Sequence, residues 1–314
     1  MKEQKNETHP TLFPINIGQV LLITEASPEV QVHYEHPNGK LFFGNSIDWL
    51  TSLESETVDL VFADPPYNIK KAEWDTFKSN EAYVEWSIQW IREAARVIKP
   101  TGSIYICGFS ETLADLKHAS SKFFHSCRWL VWNYRNKANL GNDWGRSHES
   151  ILHFRKSDQF ALQVDSVRIP YGNHTLKYPI HPQATTSNFG SNEKRTEHWT
   201  PNPLGAKPKD VIEIPTTCNG MGEKTPHPTQ KPEELLRRLV LAATSEGQFV
   251  IDPFSGSGTT AVVAEQLGRK WSGCDISAEY NQWAINRLEN ARKMSVLDWQ
   301  EFDRKNAERR ESIR

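Results

Sequence analysis

The chain has 314 residues, of which 37% are apolar and 24% are charged, and its formal net charge is −2. This length suits one large domain or one domain with an inserted module, and the near-neutral charge restricts any nucleic-acid surface to a local basic face. The sequence has no apolar run of the ~18 residues that a membrane span needs, and its first residues lack the apolar core of a signal peptide. We therefore expect a cytoplasmic protein with no membrane partner.

The first half of the chain alternates β-rich runs with segments of helical periodicity. Strands are predicted at residues 40–46, 57–63, 103–107, 127–134 and 149–154. The first of these runs leads into a short helix. A longer helix is predicted over 80–99, where apolar side chains recur at helical spacing until Pro100 and Gly102 stop it. This order is typical of a mostly parallel sheet with helices on both faces.

The second half begins with a long polar stretch, residues 156–225, in which apolar residues are scattered. A stretch of this length is either a functional insertion or a sign that the elements are wrongly assigned, and we favour an insertion. Beyond it, helices are predicted at 233–245, 259–268 and 278–293, and strands at 248–252 and 270–275. The predicted organisation is a flexible N-terminus (1–14), a catalytic half (15–155), a target-recognition insertion (156–225), a cofactor-binding half (226–300) and a charged tail (301–314).

Gly256 and Gly258 form a tight turn between the predicted strand that ends at Asp252 and the next helix. Glycines at such a turn allow sharp bending and close approach to a ligand. No Gly-Lys-Ser/Thr sequence follows, which excludes a Walker-type phosphate loop. Asp275 ends the next strand, where an acid accepts hydrogen bonds from a ribose. This unit predicts an adenosine-containing cofactor, and alone it does not distinguish NAD from S-adenosylmethionine.

Asp64, Pro65, Pro66 and Tyr67 form a turn at the carboxyl end of a predicted buried strand, where α/β sheets bind ligands. The Asp64 carboxylate and the Pro65 carbonyl can each accept one hydrogen of an exocyclic base amine, which directs the nitrogen lone pair towards a methyl donor. Tyr67 offers a face for stacking an extruded base. A proline-stiffened loop with a capping Asp is the plainer alternative. We disfavour it because the turn ends a strand and a cofactor unit follows.

These two motifs, in this order, resemble the β-class amino-methyltransferases of restriction–modification systems. Further matches lie at residues 96–102, 210–215 and 227–232. In that class the catalytic motif precedes the cofactor motif, and the target-recognition region lies between them. The resemblance implies an α/β fold of the circularly permuted class I (Rossmann-like) type. We therefore expect a seven-stranded, mostly parallel sheet with one antiparallel strand, helices on both faces and an inserted recognition region.

The resemblance also implies site residues and S-adenosyl-L-methionine as the cofactor. Catalysis is assigned to Asp64, Pro65, Pro66 and Tyr67. The cofactor-binding residues that it implies are Asn45, Asp64, His227, Thr229, Lys231, Asp252, Phe254, Ser255, Gly256, Ser257, Gly258, Thr259, Thr260 and Asp275. Thr229 and Lys231 are expected near the methionine end of the cofactor. Asn45 stands where the class often has an Asp that contacts the adenine amine, so this contact stays open.

Asp at the first position of the catalytic motif usually marks adenine N6 in this class, and Ser usually marks cytosine N4. The rule has exceptions, so we predict adenine N6 and keep cytosine N4 as the alternative. The resemblance further implies flipping of the target base out of double-stranded DNA, a homodimer and a cognate restriction endonuclease. Residues 68–75 and 144–150 are most similar to class members that modify GAATTC.

Basic residues in the predicted recognition segments are candidate DNA contacts. They are Lys70, Lys71, Arg135, Lys137, Arg146, Lys194 and Arg195. Polar and aromatic residues are interleaved with them, a mixture that suits phosphate and base-edge contacts, although most such charges are ordinarily solvated. His148 and Glu149 stand at a strand entrance, where they either line the cleft or cap the strand.

The remaining residue types limit other functions. The four cysteines are widely spaced and predict neither zinc nor disulfides, and the histidines lack zinc spacing, so no metal is expected. The absence of a Pro-Cys dipeptide argues against cytosine C5 methylation. An NAD-dependent oxidoreductase would leave the Asp64 turn unexplained. A non-catalytic DNA-binding subunit is disfavoured by the intact Asp64 and Tyr67.

Overall fold

A computed structural model describes residues 29–134, 142, 144–182, 198–291, 295, 297–299, 301 and 304–305. The strands are β1 Gln31–His36, β2 Gly39–Phe43, β3 Val58–Ala63, β4 Ile98–Gly108, β5 Ser126–Asn133, β6 His148–Arg155, β7 His181–Pro182, β8 His198–Trp199, β9 Val211–Glu213, β10 Phe249–Asp252 and β11 Lys270–Asp275. The helices are α1 Ser46–Ser52, α2 Asn80–Val97, α3 Ser110–Ser120, α4 Asn173–Lys177, α5 Glu233–Ala243, α6 Thr259–Gln266 and α7 Ala278–Glu289. None of the helices in this part of the chain has the length and apolarity to span a bilayer.

The described strands form a mixed sheet in the order β1-β2-β11-β10-β3-β4-β6-β5-β9, with β7 and β8 paired separately. From β2 to β5 this order contains the predicted seven strands, and β6 alone is antiparallel to its neighbours. The predicted fold class is confirmed. Two further strands extend the sheet: β1 forms an antiparallel hairpin with β2, and β9 runs parallel to β5.

The order of the strands in the sheet differs from their order in the chain, and this difference creates the site. Strands β10 and β11 come late in the sequence, yet they lie between β2 and β3. Since β10 and β3 are parallel neighbours, their carboxyl ends emerge side by side. The Asp64 turn follows β3 and the Gly256 turn follows β10, so the two predicted motifs meet at one edge of the sheet.

Helices cover both faces of the sheet, as predicted. One core cluster contains residues of α5, α6 and α7, and the other contains residues of α1, α2 and α3. Residues of β3 alternate between them: Leu60 and Phe62 pack in the first cluster, whereas Val61 and Ala63 pack in the second. The apolar stripe of α2 is buried as its spacing predicts. The sequence did not predict α3.

The sequence places the start of β4 too late. Pro100 and Gly102 were expected to separate α2 from a strand that begins at residue 103, but β4 begins at Ile98. The register against β3 shifts between the pair Val58–Ile98 and the pair Leu60–Ser103. The breaking residues therefore lie in an irregularity within the strand, which accommodates a proline that has no N–H to donate.

Asp59 ties the two halves of the chain together at the amino end of β3. Its side chain is buried, and each carboxylate oxygen lies 2.9 Å from Lys99 Nζ. The same carboxylate accepts hydrogen bonds from the Gln248 side chain and the Phe249 backbone N–H, both at 2.9 Å. A buried carboxylate needs such donors, and here they come from the start of β4 and the entrance to β10.

Candidate active site

The carboxyl ends of β3, β10 and β11 open into a cleft of about 410 Å³, a volume typical of ligand sites. The predicted site residues that line it are Asn45, Asp64, Pro65, Pro66, Tyr67, Lys71, His227, Thr229, Lys231, Asp252, Phe254, Ser255, Gly256, Ser257, Thr259 and Asp275. Gly258 and Thr260 lie behind this surface and support it. The cleft therefore brings together residues from both ends of the sequence.

Asp64 is the centre of a hydrogen-bonded network in this cleft. Lys231 Nζ donates to its Oδ2 atom at 2.6 Å, and the Tyr67 hydroxyl donates to its Oδ1 atom at 2.7 Å. The Oε2 atom of Glu149, on β6, lies 3.1 Å from the Tyr67 hydroxyl and 3.7 Å from Lys231 Nζ. One lysine and one tyrosine thus stand between two carboxylates.

The charges in this network control how its members titrate. Burial lowers the pKa of Lys231, but Asp64 and Glu149 raise it by more, so the pKa lies above its ordinary value. Burial, followed by the charges of Asp64 and Glu149, raises the pKa of Tyr67 well above its usual range. Near neutral pH, Lys231 is therefore a cation and Tyr67 a neutral hydrogen-bond donor.

The Asp75 carboxylate organises the loop that follows Tyr67. It is only 1% exposed, and its Oδ1 atom accepts the backbone N–H groups of Tyr67 at 2.6 Å and Asn68 at 2.8 Å. Its Oδ2 atom accepts those of Ile69 at 3.2 Å and Lys71 at 3.1 Å. These four bonds stabilise a loop in which Asn68 has a φ of 59°, an uncommon value for a residue with a side chain.

The glycine turn is shaped by close contacts that a larger residue would prevent. Gly256 and Gly258 have φ values of 50° and 74°, and a Cβ atom on Gly258 would lie 2.5 Å from the Cβ atom of Ala284 on α7. The Gly256 N–H donates to Asp275 Oδ2 at 2.7 Å, and the Ser277 N–H donates to Asp275 Oδ1 at 2.9 Å. Burial raises the pKa of Asp275 to about 6, although these bonds oppose the shift.

Asp252 holds the first residues of the same turn. Its carboxylate accepts the Phe254 N–H at 2.9 Å and the Thr260 hydroxyl at 2.5 Å, and burial raises its pKa to about 7. The Phe254 ring packs against Trp86 and Trp90 of α2, with centroid distances of 5.7 Å and 5.2 Å. Through this contact the turn rests on the catalytic half of the chain.

His227 connects the glycine turn with the Asp64 network. Its ring packs edge-on against Tyr280, with centroids 4.5 Å apart, and a Cβ atom on Gly256 would lie 3.1 Å from its Nε2 atom. Burial, helped by Lys231, lowers the pKa of His227 to about 4, so the ring is neutral. The backbone N–H of Thr229 donates to its Nδ1 atom at 3.3 Å, which leaves the proton on Nε2.

Asn45 lines the cleft, but its carboxamide oxygen already serves the protein. It accepts the backbone N–H groups of Ile47 at 2.8 Å and Asp48 at 3.4 Å, and so caps the N-terminus of α1. Only the amino group of this side chain is left to donate to a ligand.

The candidate DNA contacts are distributed unevenly. Lys71 lines the cleft, and Lys70 is exposed beside it. The Arg146 guanidinium stacks over the Phe109 ring at 3.8 Å, and Phe109 packs edge-on against Tyr67 with centroids 5.1 Å apart. The other four candidates lie outside the described residues: Arg135, Lys137, Lys194 and Arg195.

Glu149 is a site residue whose position the sequence left undecided. The structure places it in the cleft, 6% exposed, beside Tyr67 and Lys231. A useful signal was present, because an acid inside an apolar strand is buried only when it has polar partners. Trp132, Thr216 and Thr217 also line the cleft, and no motif or spacing groups them with it.

Comparison with known proteins gives concordant matches. The model of a DNA methylase family, N6_N4_Mtase, matches residues 58–286. Type II methyltransferase M1.MboII of Moraxella bovis is 34% identical over 78% of this chain and 95% of its own length. DNA adenine methyltransferase YhdJ of Escherichia coli (strain K12) is 31% identical over 82% of this chain and 84% of its own length.

Solved structures share the fold at lower identity. The cytosine-N4-specific PvuII DNA methyltransferase has a TM-score of 0.63 and 18% identity, and the match covers 82% of this chain and 88% of that one. TTHA0409 of Thermus thermophilus, described as a DNA modification methylase in complex with S-adenosyl-L-methionine, has a TM-score of 0.55 and 21% identity, covering 79% and 92%.

The Asp75 network predicts local loosening when this carboxylate is removed. In Asp75→Ala, four N–H groups lose their acceptor, so the amides of residues 67–71 should exchange with deuterium about tenfold faster or more. Mass spectrometry of peptides from this loop measures the change. Glu73→Ala, which removes an exposed acid from the same segment, should leave exchange unchanged. Equal protection in Asp75→Ala and the unaltered protein would contradict the role of Asp75.

Proposed function

Because the chain belongs to the DNA methylase family whose model spans residues 58–286, we propose that it methylates an exocyclic amine of a base in double-stranded DNA, and that this amine is adenine N6. The observation that carries the proposal is the meeting of two motifs in one cleft. The Asp64 turn and the Gly256 turn end adjacent parallel strands, so an amine held by the first faces a cofactor held by the second.

The cofactor side of the cleft fits S-adenosyl-L-methionine, which supplies an electrophilic methyl group on a sulfonium. Ser255 Oγ is buried and has no hydrogen-bond partner among the described residues, so it can bond to a ligand. Asp275 ends β11, the position from which a carboxylate accepts ribose hydroxyls in such sheets. The glycine turn leaves its backbone accessible. The other members of the predicted cofactor set shape this side of the cleft.

On the DNA side, the chain's own residues orient the amine. The Asp64 carboxylate and the Pro65 carbonyl accept its two hydrogens, which leaves the nitrogen lone pair directed across the cleft. Base flipping is required because an exocyclic amine inside the duplex cannot reach a buried carboxylate. Lys70, Lys71 and Arg146 are proposed to position the DNA backbone, together with the candidates outside the described residues.

Adenine is the first candidate because Asp64 opens the catalytic motif and because the similar protein YhdJ is a DNA adenine methyltransferase. Cytosine N4 is the second candidate, since the structurally similar PvuII enzyme is cytosine-N4-specific. Residues 68–75 are most similar to the β-class RsrI methyltransferase, which modifies GAATTC, and we propose this target. An NAD-dependent oxidoreductase is not supported, because it would have no use for the Asp64 turn.

Several similar proteins are Type II methyltransferases, which supports a modification role beside a cognate endonuclease. We assign residues 156–225 to target recognition, between the catalytic half and the cofactor-binding half. The class resemblance further supports a homodimer.

Transfer of labelled methyl groups tests the proposed function. The protein is incubated with radiolabelled S-adenosyl-L-methionine and unmethylated genomic DNA, and the DNA is then digested to nucleosides. We expect label in N6-methyladenine. Label in N4-methylcytosine would contradict the choice of base, and absence of transfer to any DNA would contradict the function. A duplex that contains GAATTC, compared with one that carries GTTAAC, tests the target sequence separately.

The cofactor site should lose affinity in mild acid. Burial raises the pKa of Asp275 to about 6, and a ribose diol bonds best to the ionised carboxylate, so affinity is full above that pH and falls as the pH drops through it. The Kd measured by calorimetry should rise about tenfold per pH unit below pH ~6. Asp275→Asn should bind more weakly with a flatter profile. The same slope in both proteins would assign it to another group, such as Asp252.

A further inference from the structure

We infer that Glu149 is the second carboxylate of the amine-binding centre, a positioning residue that takes over the Tyr67 hydroxyl and pairs with Lys231 when Asp64 accepts the target amine. The inference rests on the proposed methyl transfer. It concerns the chain's own network, in which Glu149 acts through Tyr67 and Lys231 and does not touch the base.

The first reason is that Asp64 is fully engaged before any amine arrives. Lys231 donates to one of its oxygens and Tyr67 to the other, at 2.6 Å and 2.7 Å. An incoming amine therefore needs one donor to turn away. The Tyr67 hydroxyl has a single hydrogen and lies 3.1 Å from Glu149, so rotation about its C–O bond transfers that hydrogen bond without moving the ring. Glu149 thereby frees Oδ1 of Asp64.

The second reason is charge. Two carboxylates and one ammonium give the centre a net charge of about −1, because Lys231 is held as a cation between them. The amine nitrogen becomes positively charged as it gains a methyl group. A buried negative centre stabilises that charge more strongly than it would in water. Without Glu149, the charges of Asp64 and Lys231 would cancel.

The same arrangement accounts for the proton that must leave. The nitrogen forms a bond to the methyl carbon and loses one of its hydrogens as a proton, which Asp64 accepts on Oδ1. Tyr67 lies within hydrogen-bond distance of both carboxylates, so it can take this proton as it passes its own to Glu149. The proton ends on Glu149, and Tyr67 is unchanged.

Other groups near Glu149 complete its electrostatic environment. Tyr134 follows β5, and its pKa is raised to about 12, first by burial and then by Glu149. Arg146 acts on the same tyrosine from the segment before β6. Cys107 on β4 has a pKa raised well above its usual range by burial and by Asp64, with smaller effects of Lys231, Glu149 and Asp252 from β10. These groups belong to the pH behaviour described below.

A double-mutant cycle on the full chain tests the inference. Glu149→Gln should slow single-turnover methyl transfer about a hundredfold, with the Kd for S-adenosyl-L-methionine within about threefold of the unaltered protein. Lys231→Met should also slow transfer and should move the acid limb of the pH–rate profile to higher pH, because two carboxylates then share the site without a cation. Glu35→Gln, which removes an exposed acid on β1, is the matched control and should change neither quantity.

The combined variant gives the decisive sign. In the Lys231→Met background, Glu149→Gln removes the like charge, so it should raise the rate and return the acid limb towards its original pH. Additive losses with an unmoved acid limb would overturn the inference, since a merely structural residue behaves in that way. Wild-type rates in Glu149→Gln would overturn it as well.

A second cycle keeps the test valid if Lys231→Met does not fold. Since Glu149 acts through the Tyr67 hydroxyl, Tyr67→Phe combined with Glu149→Gln should be little slower than the slower single variant. Independent losses in this cycle would overturn the inference. A wild-type protein that methylates no DNA would instead contradict the proposed function.

Discussion

The ion pair between Lys231 and Asp64 is the contact on which the rest of the site depends. It joins two residues 167 positions apart, and both side chains are largely buried. Such a pair adds little net stability once desolvation is counted, but it fixes where its partners stand. Lys231 belongs to the segment that rests on the glycine turn through His227, and Asp64 ends β3. This one bond therefore sets the cofactor side of the cleft against the base side.

Buried carboxylates play a comparable part elsewhere around β3. Asp59 ties the strand to the entrance of β10, and Asp75 holds the loop beyond Tyr67 through four backbone N–H groups. An unpaired carboxylate in these places would be costly, so the surrounding chain must supply donors, and supplying them restricts its geometry. Asp64 differs from these two because its partners, Tyr67 and Lys231, have Glu149 as an alternative acceptor within reach.

Local sequence predicted those parts of the molecule whose cause is local. The strand over residues 270–275 follows from its apolar pattern, and the positions of the two turns follow from strand ends. The roles of Glu149 and Asp75 depend on partners that only the folded chain brings near them: Tyr67 lies 82 positions before Glu149. Pattern also misplaced the start of β4, because a register irregularity absorbs Pro100 within the strand. Tertiary pairing decides such cases, and a single sequence does not display it.

The division of labour between the two turns is the central claim, and Asp64→Ala tests it most directly. Single-turnover methyl transfer to DNA and calorimetric binding of S-adenosyl-L-methionine are measured on the same preparation. We expect transfer to fall by roughly a thousandfold or more, because the amine loses its acceptor, while the Kd for the cofactor changes by no more than about threefold. Glu149 remains near Lys231 in this variant, so its charge keeps a partner. Loss of cofactor binding together with transfer, or transfer at an undiminished rate, would contradict the account.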